Sequence, residues 1–118
     1  MKRILEQSRK KGAAYERLAA AFLQKKGYEI LKRNYYSPQG EIDLIARDGE
    51  YLVFVEVKYR ADSRYGHPLE TVDTRKQRRI KGAARWYLRE NGPKEETACR
   101  FDVVGMLKDE IIHVENAF

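Results

Sequence analysis

The sequence predicts an α/β fold of one domain over residues 1–118, a mixed β-sheet flanked by helices in the order α-β-β-β-α-β-β. Two long stretches, 9–26 and 72–91, carry apolar residues at three- and four-residue spacing. Strongly β-prone stretches lie between and after them, and Asp48-Gly49 separates two of these as a tight hairpin turn. A chain of 118 residues has the usual size of one compact domain and leaves little room for a second core.

In the first helix Ser8 is the N-cap, and Ala14, Leu18, Ala21 and Phe22 share one face. Gly27 supplies the left-handed stop, with Tyr28 folding back on Leu23 as in a Schellman ending. Glu16 points away from the Leu18 and Phe22 stripe, either as a plain exposed acid or as a carboxylate aimed at a site beside the core. Residues 28–35 read as a strand and 37–40 as a loop, followed by strands at 41–47 and 51–59. Residues 61–69, with Gly66 and Pro68, form a loop before the second helix, which Thr71 or Asp73 caps and Gly92-Pro93 ends. Ile80, Ala83, Ala84, Tyr87 and Leu88 make its apolar face, and seven Lys and Arg residues crowd the rest, so the helix is basic and amphipathic. The last strands, 98–107 and 111–114, turn at Lys108-Asp109.

Hydrophobic residues at 42% suffice for a core, while charged residues at 36% predict a strongly charged surface. Twenty-four Lys and Arg against eighteen Asp and Glu leave a charge of +6, which favours polyanionic partners, nucleic acid first. Cys99 has no second cysteine to pair with, and with only His67 and His113 there is no zinc spacing. The N-terminal stretch has no continuous apolar run before Glu16, so the expectation is neither a signal peptide nor a membrane span, but a cytoplasmic protein. His67 and His113 read as ordinary surface or core histidines, Trp86 and Tyr87 as core packing, and Cys99 as buried. Tyr35, Tyr36 and Tyr65, at strand ends or in loops, are within the sequence range for stacking on exposed bases, with nothing to decide it.

The hairpin carries the chemistry. A two-residue Asp48-Gly49 turn sets Arg47 opposite Glu50, Glu41 opposite Glu56 and Asp43 opposite Phe54. Period-two alternation then puts Glu41, Asp43, Glu56 and Lys58 on one face, with Ile42, Leu44, Val53, Val55 and Val57 on the other, buried one. Carboxylates this close repel unless a cation compensates. Mg²⁺ (or Mn²⁺) prefers such hard oxygen ligands, which makes Asp43 and Glu56 the expected metal pair. Lys58 returns an ammonium to the same face, suited to orienting a water and stabilising charge on a phosphodiester. The spacing alone fits a surface cross-strand salt bridge equally well.

GEIDLIA at 40–46 followed by FVEVKYR at 54–60 resembles the PD-(D/E)-x-K nuclease motif. The closest likeness is to the YraN-like family of uncharacterised bacterial proteins, carried also by Gly12 to Glu16, by Lys76, Arg79 and Ile80, and by RFDVV at 100–104. That family is similar to archaeal Holliday-junction resolvases, and the resemblance implies a restriction-endonuclease-like fold with Glu16, Asp43, Glu56 and Lys58 as catalytic residues. Ile42 stands where the motif often has proline, and Glu41 is an extra acid, either a second metal ligand or a partner for Arg60 or another base. Implied is a Mg²⁺-dependent endonuclease on structured or branched DNA, DNA being favoured over RNA, with Arg60, Lys76 and Arg79 on the nucleic-acid backbone. A resolvase-like role implies paired cuts and hence a homodimer. The alternatives are a nucleic-acid-binding module with little or no cleavage, and an RNA processing or repair accessory that needs a partner.

Overall fold

The computed structural model describes the backbone of residues 2–60, 72–91 and 97–118, and within those ranges the side chains from residue 12 onward. Its order is α1 (Lys2–Lys25), β1 (Glu29–Ser37), β2 (Gly40–Asp48), β3 (Tyr51–Arg60), α2 (Thr74–Asn91), β4 (Ala98–Leu107) and β5 (Glu110–Val114), the order expected. The five strands form one mixed sheet in chain order. Only β3 and β4 run parallel, a pairing that needs a crossover, and α2 lies between them in sequence. None of the described helices is long and apolar enough to cross a membrane. The loop expected at 61–69, Thr71 and the Gly92-Pro93 stop lie outside the described residues.

The two helices cover opposite faces of the sheet. Ala19, Ala20 and Leu23 of α1 pack on Leu44, Ala46, Val53, Val55 and Val104. Ile80, Ala83 and Ala84 of α2 pack on Ile42, Ile45, Leu52 and Phe54. Alanines at both contacts bring helix backbone close to the strands, so β3 from Leu52 to Val55 is buried on both sides.

Three expectations shift. The first helix starts before Ser8, which is therefore interior and not its cap; Leu, Glu, Gln, Lys and Arg in the preceding residues are all strong helix formers. Its buried stripe runs through Ala19, Ala20 and Leu23, while Leu18 is 53% exposed, because the helix is rotated so that Ala19 and Ala20 meet the sheet and Leu18 lies to the side. The hairpin register is two residues from that expected: Asp48 pairs with Tyr51 and Arg47 with Leu52, so Gly49 and Glu50 form the turn. Gly49 takes the positive φ of 58° at the first loop position, as a II′-type turn asks of glycine, and Asp48 stays in the strand, where Arg100 Nη1 donates to it at 3.0 Å. The helix ending is as expected: Gly27 sits at φ 96°, with Gly27 N–H donating to Gln24 C=O and Tyr28 N–H to Leu23 C=O, each at 3.0 Å. Asp73 caps α2, accepting the Lys76 N–H at 2.8 Å.

A buried ionic network ties β4, β5 and the end of α1 together. Asp102, fully buried, accepts from Arg100 Nε and Nη2 at 2.9 Å, from the Asn116 N–H at 3.0 Å and from His113 Nε2 at 2.7 Å. The Lys26 ammonium donates to His113 Nδ1 at 2.9 Å, which leaves Nε2–H to face Asp102. His113 is thus a core histidine with two defined partners. Burial alone would raise the Asp102 carboxyl; the hydrogen bonds from His113, Arg100 and Asn116 outweigh it and hold the group below the usual carboxylate range. Removing one partner of such a buried pair leaves the other charge uncompensated, so Asp102→Ala is expected to lower unfolding stability by about 3–5 kcal/mol, read as a fall in urea midpoint. An unchanged midpoint would show that the network contributes nothing net.

Candidate functional site

Where β2 and β3 leave their ladder, the sheet is irregular in a way that gathers acids. The β1–β2 pairs Arg33↔Leu44 and Tyr35↔Ile42 flank Asn34 and Asp43, which form no pair of their own, and Asn34 adopts a φ of 51°. Ile42 and Ile45 face α2, whereas Leu44 and Ala46 face α1, so inside–outside alternation slips by one residue around Asp43. The β2–β3 ladder stops at Leu44↔Val55. Asp43 takes over from it: the Val57 N–H donates to Asp43 Oδ2 at 2.8 Å, filling the gap where the next ladder bond belongs.

Asp43 therefore lies between the two helix layers and meets acids from both. Glu16, three and four residues before Ala19 and Ala20, shares the sheet-facing side of α1 and accepts a hydrogen bond from the Asn34 side chain. Carboxylate oxygens of Glu16, Glu41 and Asp43 lie within 4.8 Å of one another. Glu56, 5% exposed, stands beside this trio and pairs with the Lys76 ammonium. The two-residue change of register puts Asp43, rather than Glu41, level with Glu56.

Two cavities open on either side of the acids, and Glu41 lines both. One, of about 250 Å³, faces α2 and is lined by Asp43, Glu56, Lys76 and Arg79. The other, of about 430 Å³, faces α1 and is lined by Glu16, Asn34 and Tyr36. Tyr36 is 70% exposed at its mouth; Tyr35 is instead buried, its hydroxyl donating to Glu90. Tyr65 lies outside the described residues.

Charge crowding shows in the titration of these groups. Burial, and then the carboxylates of Glu56, Glu16 and Glu41, push the Asp43 carboxyl up to about 8, against the lowering effect of the Val57 N–H. Burial also raises Glu16, with Glu41 and Glu56 adding to it and the Asn34 hydrogen bond opposing. Lys58 is lowered by burial and by its neighbours Lys76 and Arg60, in spite of Glu56. Arg60 ends β3, exposed, its guanidinium turned onto the Tyr59 carbonyl at 3.0 Å.

All four residues of the expected catalytic set, Glu16, Asp43, Glu56 and Lys58, belong to this one neighbourhood, and Lys76 and Arg79 border it. The trio with the closest oxygens contains Glu16 and Glu41, while the oxygen of Glu56 is engaged by Lys76. Asn34 was not singled out by sequence; an asparagine in a β-prone run, tolerant of positive φ, is its only signal.

Residues 15–106 match the family described as Uncharacterised protein family UPF0102. The chain belongs to this family. It is the YraN-like family whose motifs the sequence carries, and the matched span holds every candidate site residue. The chain is 52% identical to the UPF0102 protein of Lachnoclostridium phytofermentans over 107 residues, 91% of each chain. It is 54% identical to that of Chromohalobacter salexigens over 99 residues, 84% of this chain and 79% of the relative. With the UPF0102 protein of Coxiella burnetii it shares 42% identity over 111 residues, 93% and 92% of the two chains.

In this UPF0102 chain Asp43 binds its proton more tightly folded than unfolded. The folded state therefore holds the extra proton between the ordinary carboxylate range and about 8, and stability falls as pH rises through that window. In EDTA, the melting temperature is expected to drop between pH 5 and pH 8.5, and Asp43→Asn to flatten the drop. A wild-type profile already flat over that range would refute the crowding.

Proposed function

We propose that the protein is a divalent-cation-dependent nuclease that hydrolyses phosphodiester bonds in structured or branched DNA. The observation that carries this reading is the convergence of Glu16, Glu41 and Asp43 within 4.8 Å beside buried Glu56, next to a lysine and an arginine. Crowded carboxylates that push Asp43 up to about 8 are unfavourable in themselves and become favourable around a cation. The donors are hard oxygens from three residues, a set that fits Mg²⁺ or Mn²⁺ and excludes a thiolate metal. Glu16, Glu41 and Asp43 would hold the ion, with Glu56 as the adjoining ligand once Lys76 lets go. When bound, the ion supplies Lewis-acid polarisation of the phosphodiester and acidifies a water.

The chain's own groups do the rest. Lys58, two residues beyond Glu56 and lowered by burial and by Lys76, orients the attacking water and stabilises charge developing on phosphorus. Lys76 and Arg79, bordering the α2-side cavity, and Arg60 at the end of β3 hold the flanking backbone phosphates. Paired cuts across a branched substrate need two copies of the site, hence a homodimer. The pairing of Lys76 with Glu56 is the observation that favours a second reading, a nucleic-acid-binding module whose acids are neutralised internally.

Labelled linear, flapped and four-way DNA and matched RNA, incubated with Mg²⁺, Mn²⁺ or EDTA, decide between them. Cutting is expected with either metal and not in EDTA, and Asp43→Asn, Glu56→Ala and Lys58→Ala are each expected to slow it by about 10²-fold or more. Salt-sensitive binding with no cutting under any metal would favour the binding module.

A further inference from the structure

We propose that α2 carries a separate groove for single-stranded nucleic acid, with Arg85 and Arg89 on backbone phosphates and Trp86 against an unstacked base. The inference rests on the polyanion-binding half of the reading above and is independent of cleavage.

A cavity of about 190 Å³ lies beside the β1–β2 turn, lined by Gln39, Gly82, Arg85, Trp86 and Arg89. Its shape comes from how tightly the turn presses on the helix. A Cβ on Gly82 would come within 3.0 Å of Gln39 Cβ, and one on Gly40, at φ 159°, within 3.1 Å of Arg79 Cβ. Glycine at both places lets turn and helix meet, and the same turn then borders two cavities along one helix: Lys76 and Arg79 on the first, Arg85, Trp86 and Arg89 on the second. From Lys76 to Arg89 the helix rises roughly 20 Å.

The chemistry of the second cavity is cationic and aromatic. Among the described residues no carboxylate lines it, and neither Arg85 nor Arg89 forms an ion pair. Both arginines are exposed. The Arg89 guanidinium lies 5.7 Å from the Trp86 ring centroid, close enough for the ring to steady the cation. Trp86 also rests on the α2-side core, so its indole is a fixed platform with one part buried and another lining the cavity. Core packing, the role expected from sequence, is thus half of its environment. Arginines interleaved with an anchored aromatic suit single strands, since a base must leave its stack to lie against an indole, and every base has a face to offer. The α1-side cavity differs sharply: Glu16, Glu41, Asn34 and Tyr36 line it, and among the described residues no cation does. Phosphates are drawn along α2.

Trp86 is the chain's one tryptophan, so intrinsic fluorescence reports directly on this groove. The full chain, in EDTA to keep the probe intact, is titrated with oligothymidylate and with a mixed-sequence duplex of equal length. Saturable quenching by oligothymidylate, clearly tighter than by duplex, is expected. Arg85→Glu with Arg89→Glu is expected to weaken binding by about 10-fold or more and to flatten the slope of log K against log salt by about 1.4, the loss of two single-strand phosphate contacts. A charge-matched pair, Lys25→Glu with Arg47→Glu, replaces exposed cations near the opposite end of β2 and should change affinity by less than about 3-fold.

Absent quenching, equal quenching by duplex, or equal weakening by the two variant pairs would each overturn the groove. If wild type cuts in Mg²⁺ while Trp86 stays unquenched, the groove falls and the nuclease reading stands. If quenching is saturable and lost with Arg85 and Arg89 while no metal gives cutting, the groove stands and the nuclease reading falls.

Discussion

Burial of the β2–β3 hairpin on both faces at once is the constraint from which the rest of the molecule follows. Between Leu52 and Val55 every side chain meets a helix, α1 on one side or α2 on the other, and no polar group is accommodated there. Charge is therefore absent from this stretch of β3 and gathers beside it, at the end of the hairpin and on the neighbouring strand β4. At one end stand Asp43, Glu56 and Lys58, and on β4, level with Val53 and Val55, stand Arg100 and Asp102 with their network. The two clusters solve the same problem differently. Around Asp102 the network is satisfied internally by Arg100, His113 and a backbone N–H. Around Asp43 acid is added to acid, and the Val57 N–H and the Lys76 ammonium offset only part of the repulsion that holds the Asp43 carboxyl up.

Much of this was legible in the chain. Element order, the helix stop at Gly27 and the two-residue turn at Lys108-Asp109 all follow from local rules, because glycine geometry and apolar periodicity act over a few residues. The E-x-K spacing put Glu56 and Lys58 on one face of one strand, a matter of period two alone. What was not legible depends on neighbours far away in sequence. The hairpin register turned on whether Asp48 belonged to turn or strand, and Arg100, fifty-two residues later, holds it in the strand. Leu18 reads as core on any helical wheel, yet the helix is rotated so that alanines meet the sheet.

The site itself was half visible. Alternation places Asp43 squarely on one face, but the paired irregularity at Asn34 and Asp43 turns its carboxylate between the layers, into reach of Glu16 from α1. No sequence period encodes that slip, since it belongs to two strands jointly. Glu41 was already on the acid face by alternation, with its role as ligand or ion-pair partner left open, and the basic helix proved to be two unlike stretches, one bordering the acids and one flanking an indole.

The ion pair between Glu56 and Lys76 makes the site a competition as well as a container. Glu56 belongs to a strand clamped on both faces, while Lys76 sits in the first turn of α2 with nearly half its side chain exposed. A carboxylate engaged by an ammonium is a poorer ligand for a cation, and an ammonium engaged by a carboxylate is a poorer host for a phosphate. Separating the pair releases both capacities together. A cation on Glu56 therefore lightens the work of an anion reaching Lys76, and by reciprocity of linkage the anion does the same for the cation. One contact would thus couple the two ligands that the proposed chemistry needs together, with no change of fold required.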